Sequence, residues 1–182
     1  MVVYTQVETY SSGGTRAGVR IGQSSGTNKP YASCTFTTTS AYSIGKVDVW
    51  WRQAGADPSG TVVAKIYAVD GSKYPTGSPL ATSNEALATA ATGFTQKTYT
   101  FPAVALSNAT QYAIVFVPST GFGGTNYLEV ASNNVSATGQ LTAWSIAETS
   151  SYSDYSNPEL IRMNVYSQPN DTTDAIFFGG GL

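Results

Sequence analysis

Few residues in this chain can do chemistry. The 182 residues include no histidine, which excludes the Ser-His and Cys-His nucleophile pairs and His-ligated zinc sites. Acid–base work would fall to the acidic residues Glu8, Asp48, Asp57, Asp70, Glu85, Glu129, Glu148, Asp154, Glu159, Asp171 and Asp174. Two carboxylates held across a glycosidic bond hydrolyse it. Most of these residues, however, sit in turns or on the solvent side of expected strands. Asp48 and Glu129 alone stand mid-strand, and nothing in the sequence places them together, so the expectation is a protein that is not an enzyme. Calcium could find carboxylates and carbonyls at Asp70–Ser72 and Asp154–Asn157, but neither stretch follows the EF-hand spacing. Both read as ordinary turns, and no cofactor is expected.

Sugar binding needs less: exposed aromatic rings beside amide side chains suffice. The candidates are Trp50 and Tyr67, placed by strand parity on solvent-facing sides, together with Tyr152 and Tyr155 in the Ser-rich stretch 150–157. The competing reading buries Trp50 under a loop or a neighbour. Asn108-Ala-Thr, Asn134-Val-Ser and Asn170-Asp-Thr match the glycosylation pattern, which a Ser/Thr-rich chain produces by chance. Cys34 is the only cysteine, so no intrachain disulfide forms. Its place in an alternating run makes it a small buried apolar residue rather than a reactive thiol.

Composition bounds the partners. Charged residues make up 11% of the chain, the net charge is −2, and 41% of residues are hydrophobic. That supports a packed core under a Ser/Thr/Asn/Gly surface, as in extracellular or virion β-proteins. Arg16, Arg20, Lys29, Lys46, Arg52, Lys65, Lys73, Lys97 and Arg162 are scattered in sequence, so no nucleic-acid partner is expected. No apolar run approaches the ~20 residues that span a bilayer. The first residues lack a signal-peptide pattern, which leads to the expectation of synthesis in a host cytoplasm.

The elements that must position these residues are strands. Residues 46–70 alternate twice: Val47, Val49 and Trp51 oppose Lys46, Asp48, Trp50 and Arg52, and Val62, Ala64, Ile66 and Ala68 oppose Val63, Lys65, Tyr67 and Val69. Asp57-Pro58-Ser59-Gly60 between them is turn chemistry, so the stretch predicts a hairpin. Residues 96–117 predict a second paired unit. Further strands are expected near 16–22, 31–38, 80–84, 126–131, 139–145 and 159–166, with one or two helical turns over 85–91. The pattern is that of an all-β antiparallel sandwich of jelly-roll type. An N-terminal arm (1–15, with Val2, Val3 and Tyr4 as an added edge strand) precedes the β-sandwich domain (16–166), and a C-terminal tail (167–182) follows it.

The run Phe36-Thr37-Thr38-Thr39-Ser40-Ala41-Tyr42, Val47-Asp48-Val49-Trp50, Pro58-Ser59-Gly60-Thr61-Val62, Ile66-Tyr67-Ala68, 75–83 and Tyr112-Ala113-Ile114-Val115-Phe116 resembles the choice-of-anchor (R-type) jelly-roll modules of bacterial surface and phage structural proteins. The likeness covers about residues 32–166 and includes no catalytic motif. It implies a fold and a virion or surface setting.

The tail carries Ile176, Phe177, Phe178 and Leu182 on a polar leash. Either it folds back on its own domain, or these residues contact a neighbouring subunit by adding a strand to its sheet. Burial of three apolar side chains does not offset the ordering of about a dozen residues, which favours the intermolecular alternative. Taken with this tail, the resemblance implies a non-enzymatic bacteriophage structural protein located in the virion, a capsid decoration (cement) protein or a tail or fibre accessory. It would be homo-oligomeric and partnered with a major capsid or tail protein. The alternative is a carbohydrate-binding adhesion module at the cell surface or outside the cell, with a surface glycan as ligand.

Overall fold

The computed structural model describes residues 3–10, 15–22, 31–88, 91–133, 141–145, 148, 152–154 and 160–168. Among the described residues fourteen strands run in order as β1 (Thr5–Thr9), β2 (Thr15–Ile21), β3 (Tyr31–Thr37), β4 (Tyr42–Gly55), β5 (Thr61–Val69), β6 (Pro75–Thr82) and β7 (Leu87–Ala88). They continue as β8 (Thr95–Leu106), β9 (Gln111–Pro118), β10 (Asn126–Asn133), β11 (Thr142–Ser145), β12 (Ser153–Asp154), β13 (Leu160–Ile161) and β14 (Met163–Ser167). All pairings are antiparallel and form two sheets. The first follows β1-β14-β4-β10-β13, with β8 on β4 and β2 on β10; the second follows β12-β11-β3-β9-β5-β6, with β7 on β5. The protein is an all-β sandwich.

Period-two alternation in β4, β8, β3, β5 and β9 sends one side chain in two to the centre. Trp51 stands there fully buried, edge-on to Tyr99 of β8 at 5.6 Å and to Phe116 of β9 at 6.5 Å. Each such aromatic pair adds roughly 0.5–1.5 kcal/mol beyond its area. Val47, Val49, Val62, Ala64, Ile66, Ala32, Cys34 and Phe36 complete the same cluster, as their parity predicts. Burial pushes the Cys34 thiol up to about 11, so it packs as an apolar residue.

Neither expected hairpin pairs with itself. β4 and β5 lie in opposite sheets, as do β8 and β9, so both units are arches that cross from one sheet to the other. Alternation says which side chains face a core but not which backbone is the neighbour, and an arch satisfies the same pattern as a hairpin. The β4–β5 arch is held by the 119–125 loop: Ser59 N donates to Gly121 O and Ala56 N to Thr125 O. The Phe122 ring covers Gly60, where a Cβ would stand 2.4 Å from it. The β8–β9 arch is pinned by buried Thr38, whose hydroxyl donates to Ser107 O at 2.5 Å and whose amide donates to Thr110 O.

Two further expectations are corrected. The helical turns expected over 85–91 do not form among the described residues; Leu87–Ala88 is a short strand on β5. Glu85 instead accepts from the Thr100 amide at 2.6 Å, and Asn84 N donates to Thr100 O at 2.8 Å. These bonds stitch the β6 side of the second sheet to β8 of the first, and that tertiary demand overrides the Ala-rich helix propensity. At the N-terminus the described edge strand is Thr5–Thr9, which pairs with β14; Val3 and Tyr4 precede it outside any strand, and Val2 lies outside the described residues. Glu8, nearly buried, accepts from the amide and hydroxyl of Thr39 at 2.7 and 2.8 Å. It anchors β1 to the β3–β4 crossing.

Candidate binding faces

The sandwich has two outer faces, and they differ in what covers them. On the first sheet, β4 turns Lys46, Asp48, Trp50 and Arg52 outward, opposite Thr100, Thr98 and Gln96 of β8. On the other side of β4 stand Tyr166 and Asn164 of β14, then Glu129 and Tyr127 of β10. The chain changes partner at Arg162, from β10 to β4, and its amide donates to Ala131 O.

Cations on this face rest on aromatic rings. Lys46 Nζ lies 3.8 Å from the Tyr166 ring centre, the Arg162 guanidinium 4.1 Å from that of Trp50, that of Arg52 4.9 Å from Phe94 and that of Arg20 5.1 Å from Tyr127. Such contacts contribute about 0.5–1 kcal/mol each where solvated. The two acids lie underneath. Asp48 is buried, with Lys46 Nζ at 3.2 Å and the Thr98 hydroxyl donating at 2.6 Å. Glu129 accepts from Arg52 Nε and Nη2 at 3.0 and 2.8 Å, with Arg20 Nε at 4.0 Å.

On the second sheet the outer face is closed over β3, β9 and Tyr67 of β5. Tyr67, Ala113 and Val115 form a second apolar cluster, flanked by Val69 and Val117, and Ser33 and Thr35 beside them are also buried. Strands β3 and β9 are each buried at five successive positions, 32–36 and 112–116, so the sheet is covered on both sides at these two strands, while β6 at its edge stays largely exposed. Glu148 belongs to the cover: it accepts from Lys65 Nζ at 2.6 Å and from the Tyr67 hydroxyl in a very short bond. Its backbone carbonyl accepts from the Tyr152 hydroxyl at 2.5 Å, and the Tyr152 ring stacks on Tyr74 at 5.7 Å. Burial, followed by the neighbouring Glu148 carboxylate, holds the Tyr67 phenol above its usual range.

The sugar-binding candidates therefore separate. Trp50 is half-buried on the first face with Arg162 stacked on it. Tyr67 is 1% exposed, which corrects its expected solvent placement: its parity points outward, but outward on this sheet means under a third layer. Tyr152 belongs to that layer, with its hydroxyl engaged, and does not join Trp50. Tyr155 and the tail residues Ile176, Phe177, Phe178 and Leu182 lie outside the described residues.

The acids separate as well. At ~3.3 Å per residue, Asp48 stands roughly 13 Å along β4 from the Arg52 position that faces Glu129. Glycosidase carboxylates work at about 5–10 Å. Asp70 Oδ1 accepts from the amides of Ser72 and Tyr74 at 2.9 Å each, an Asx turn with its oxygen already used. The Asp154 side chain lies outside the description, and among the described residues no group of three or more acidic or Cys side chains gathers as a metal site.

Arg20, Phe94, Tyr127 and Arg162 are the members of the first face that sequence reading missed. Parity put Arg52 beside Trp50, but the rings that order the cations come from distant strands. Among the described residues no helix is long and apolar enough to cross a membrane. No family model matches the chain, and a search of curated proteins returns no match.

Proposed function

We propose that this chain is a non-enzymatic structural protein of a bacteriophage particle, a capsid decoration protein first and a tail or fibre accessory second. The observation that carries the reading is the use made of the acidic side chains. Glu8 ties β1 to the Thr39 loop, Glu85 stitches β8 to the second sheet, Glu148 fastens the outer cover, and Asp70 shapes a turn. Asp48 and Glu129 neutralise cations within one face. Carboxylates spent on joining strands and loops make a stiff body and leave little for proton transfer. The sparsely charged, Ser/Thr-rich composition and the likeness to choice-of-anchor modules support the virion setting, and the jelly-roll winding belongs to this proposal.

The body acts mechanically, with the apolar tail residues Ile176, Phe177, Phe178 and Leu182 seated on an adjacent subunit, which adds contact area per copy. Quantitative mass spectrometry of purified particles tests this. Copies on the order of hundreds identify a capsid component and about a dozen or fewer a tail part. A protein missing from the particle overturns the proposal. Deletion of residues 170–182 is expected to abolish particle binding while leaving the thermal melt of the body unchanged.

A further inference from the structure

On the outer face of the first sheet, β4 and β14 bring an amine, a carboxylic acid and a side-chain amide together. Asp48 stands opposite Asn164 and Lys46 opposite Tyr166, so Lys46 and Asn164 are diagonal neighbours on one face. Such neighbours lie about 7–8 Å apart, within reach of a long side chain. Lys46 does not extend away into water. Its Nζ is drawn along β4 to 3.2 Å from Asp48 Oδ2, at the position that faces Asn164, and rests 3.8 Å from the centre of the Tyr166 ring.

The hydrogen bonds link these groups in a chain. The Tyr166 hydroxyl donates to Asp48, and the Asn164 amide nitrogen donates to the Tyr166 oxygen. The Asn164 carbonyl oxygen accepts from the Thr9 hydroxyl at 2.8 Å, and Asp48 Oδ1 accepts from the Thr98 hydroxyl at 2.6 Å. Asp48 is 1% exposed. A nucleophilic amine beside a buried acid, a proton path to the leaving nitrogen and a donor on the carbonyl oxygen are the parts that amide exchange requires.

We propose that Lys46 and Asn164 join in an isopeptide bond, formed once per chain by these neighbours. Asp48 takes a proton from Lys46 Nζ, and the neutral amine adds its electron pair to Asn164 Cγ. The carbonyl pair moves onto Oδ1, where the Thr9 hydroxyl supports the charge. Asp48 returns the proton through Tyr166 to Nδ2, the Cγ–Nδ2 bond breaks, and the nitrogen departs. It carries off the surplus proton of the new amide as ammonium, which leaves Asp48 ionised again. Holding both partners on paired strands removes most of the entropic barrier to such a step. The product suits a mechanical body. The chain runs from β14 into the tail, so a pull on the tail reaches the sandwich through β14, and the new amide ties β14 to β4 covalently.

Mass spectrometry of the full chain tests this. After overnight incubation the folded chain is expected to be about 17 Da lighter than its sequence mass, the loss of one ammonia. Trypsin then fails to cut at Lys46 and yields a branched peptide that joins residues 21–52 to 163–182. Lys46→Arg and Asn164→Ala keep their full mass. Tyr166→Phe retains the ring beside Lys46 but breaks the proton path, and it slows the loss about tenfold or more. Circular dichroism confirms that each variant is folded. These masses are read on the isolated chain and stand apart from whether it joins a particle. The proposal is overturned if the folded chain keeps its full mass, if the loss maps to other residues, if Lys46→Arg shows the same loss, or if Tyr166→Phe forms the link at an unaltered rate.

Discussion

The outer faces of the two sheets start from similar sequence patterns and end in different environments. In β4 the residues opposite the core are Lys46, Asp48, Trp50 and Arg52; in β5 they are Val63, Lys65, Tyr67 and Val69. Each set mixes a lysine with a large aromatic. Trp50 stays half-exposed among paired ions, whereas Tyr67 is buried under a cover fastened by Glu148. The difference lies in the neighbours. β5 is backed by Ala113 and Val115 of β9, an apolar patch that must be covered. β4 is backed by Thr98, Gln96, Asn164 and Glu129, which tolerate water. One strand's outward residues do not reveal its exposure; the strands beside it decide.

The largest expected effect exploits that contrast. Val115→Asp places an unpaired carboxylate under the cover of the second sheet and costs at least ~3 kcal/mol; the chain fails to fold or shows a greatly lowered urea midpoint. Gln96→Asp, on the first face, changes stability by less than about 0.5 kcal/mol. Equal effects would mean that the two faces are not differently covered.

Next comes a pH effect located in the core between the faces. Cys34 has a folded-state pKa raised from 9.0 to about 11. A proton held more tightly in the folded state stabilises it fully below pH 9, and that contribution is lost as pH rises towards 11. The shift amounts to about 2–3 kcal/mol. Urea midpoints fall over this window, and in Cys34→Ala the fall is shallower by about that amount. The thiol is expected to resist iodoacetamide in the native protein and to react once the chain is unfolded.

Smaller effects resolve the individual contacts. Glu148→Gln removes the Lys65 ion pair and weakens the acceptor for Tyr67, costing about 1–2 kcal/mol in urea melts. On the first face Arg162→Ala costs about 1 kcal/mol through the lost stack on Trp50. Arg162→Met costs less than Arg162→Ala: the guanidinium Nε is buried with no hydrogen-bond partner, and methionine keeps the ring contact without that desolvation.

Much of the frame was legible. Val47, Val49, Trp51, Ile66, Cys34, Phe36, Tyr99 and Phe116 reach the core through local alternation, which any strand partner satisfies. Pairing was not legible, because 46–70 as a hairpin and as an arch bury the same residues. The candidate site was half legible. Parity turned Trp50 outward, but Arg162 reaches it from more than a hundred residues away, through a change of strand partner that no local pattern encodes. Tyr67 was misplaced for the converse reason: its cover includes Glu148, also distant in sequence.

The central claim is that one outer face of this sandwich is open and the other closed, and hydroxyl-radical footprinting of the isolated chain with peptide mass spectrometry tests it most directly. Trp50 and Tyr127 are expected to be modified at several times the rate of Tyr67, with Tyr67 as protected as the core residue Phe116. Modification of Tyr67 at the rate of Trp50 would contradict it.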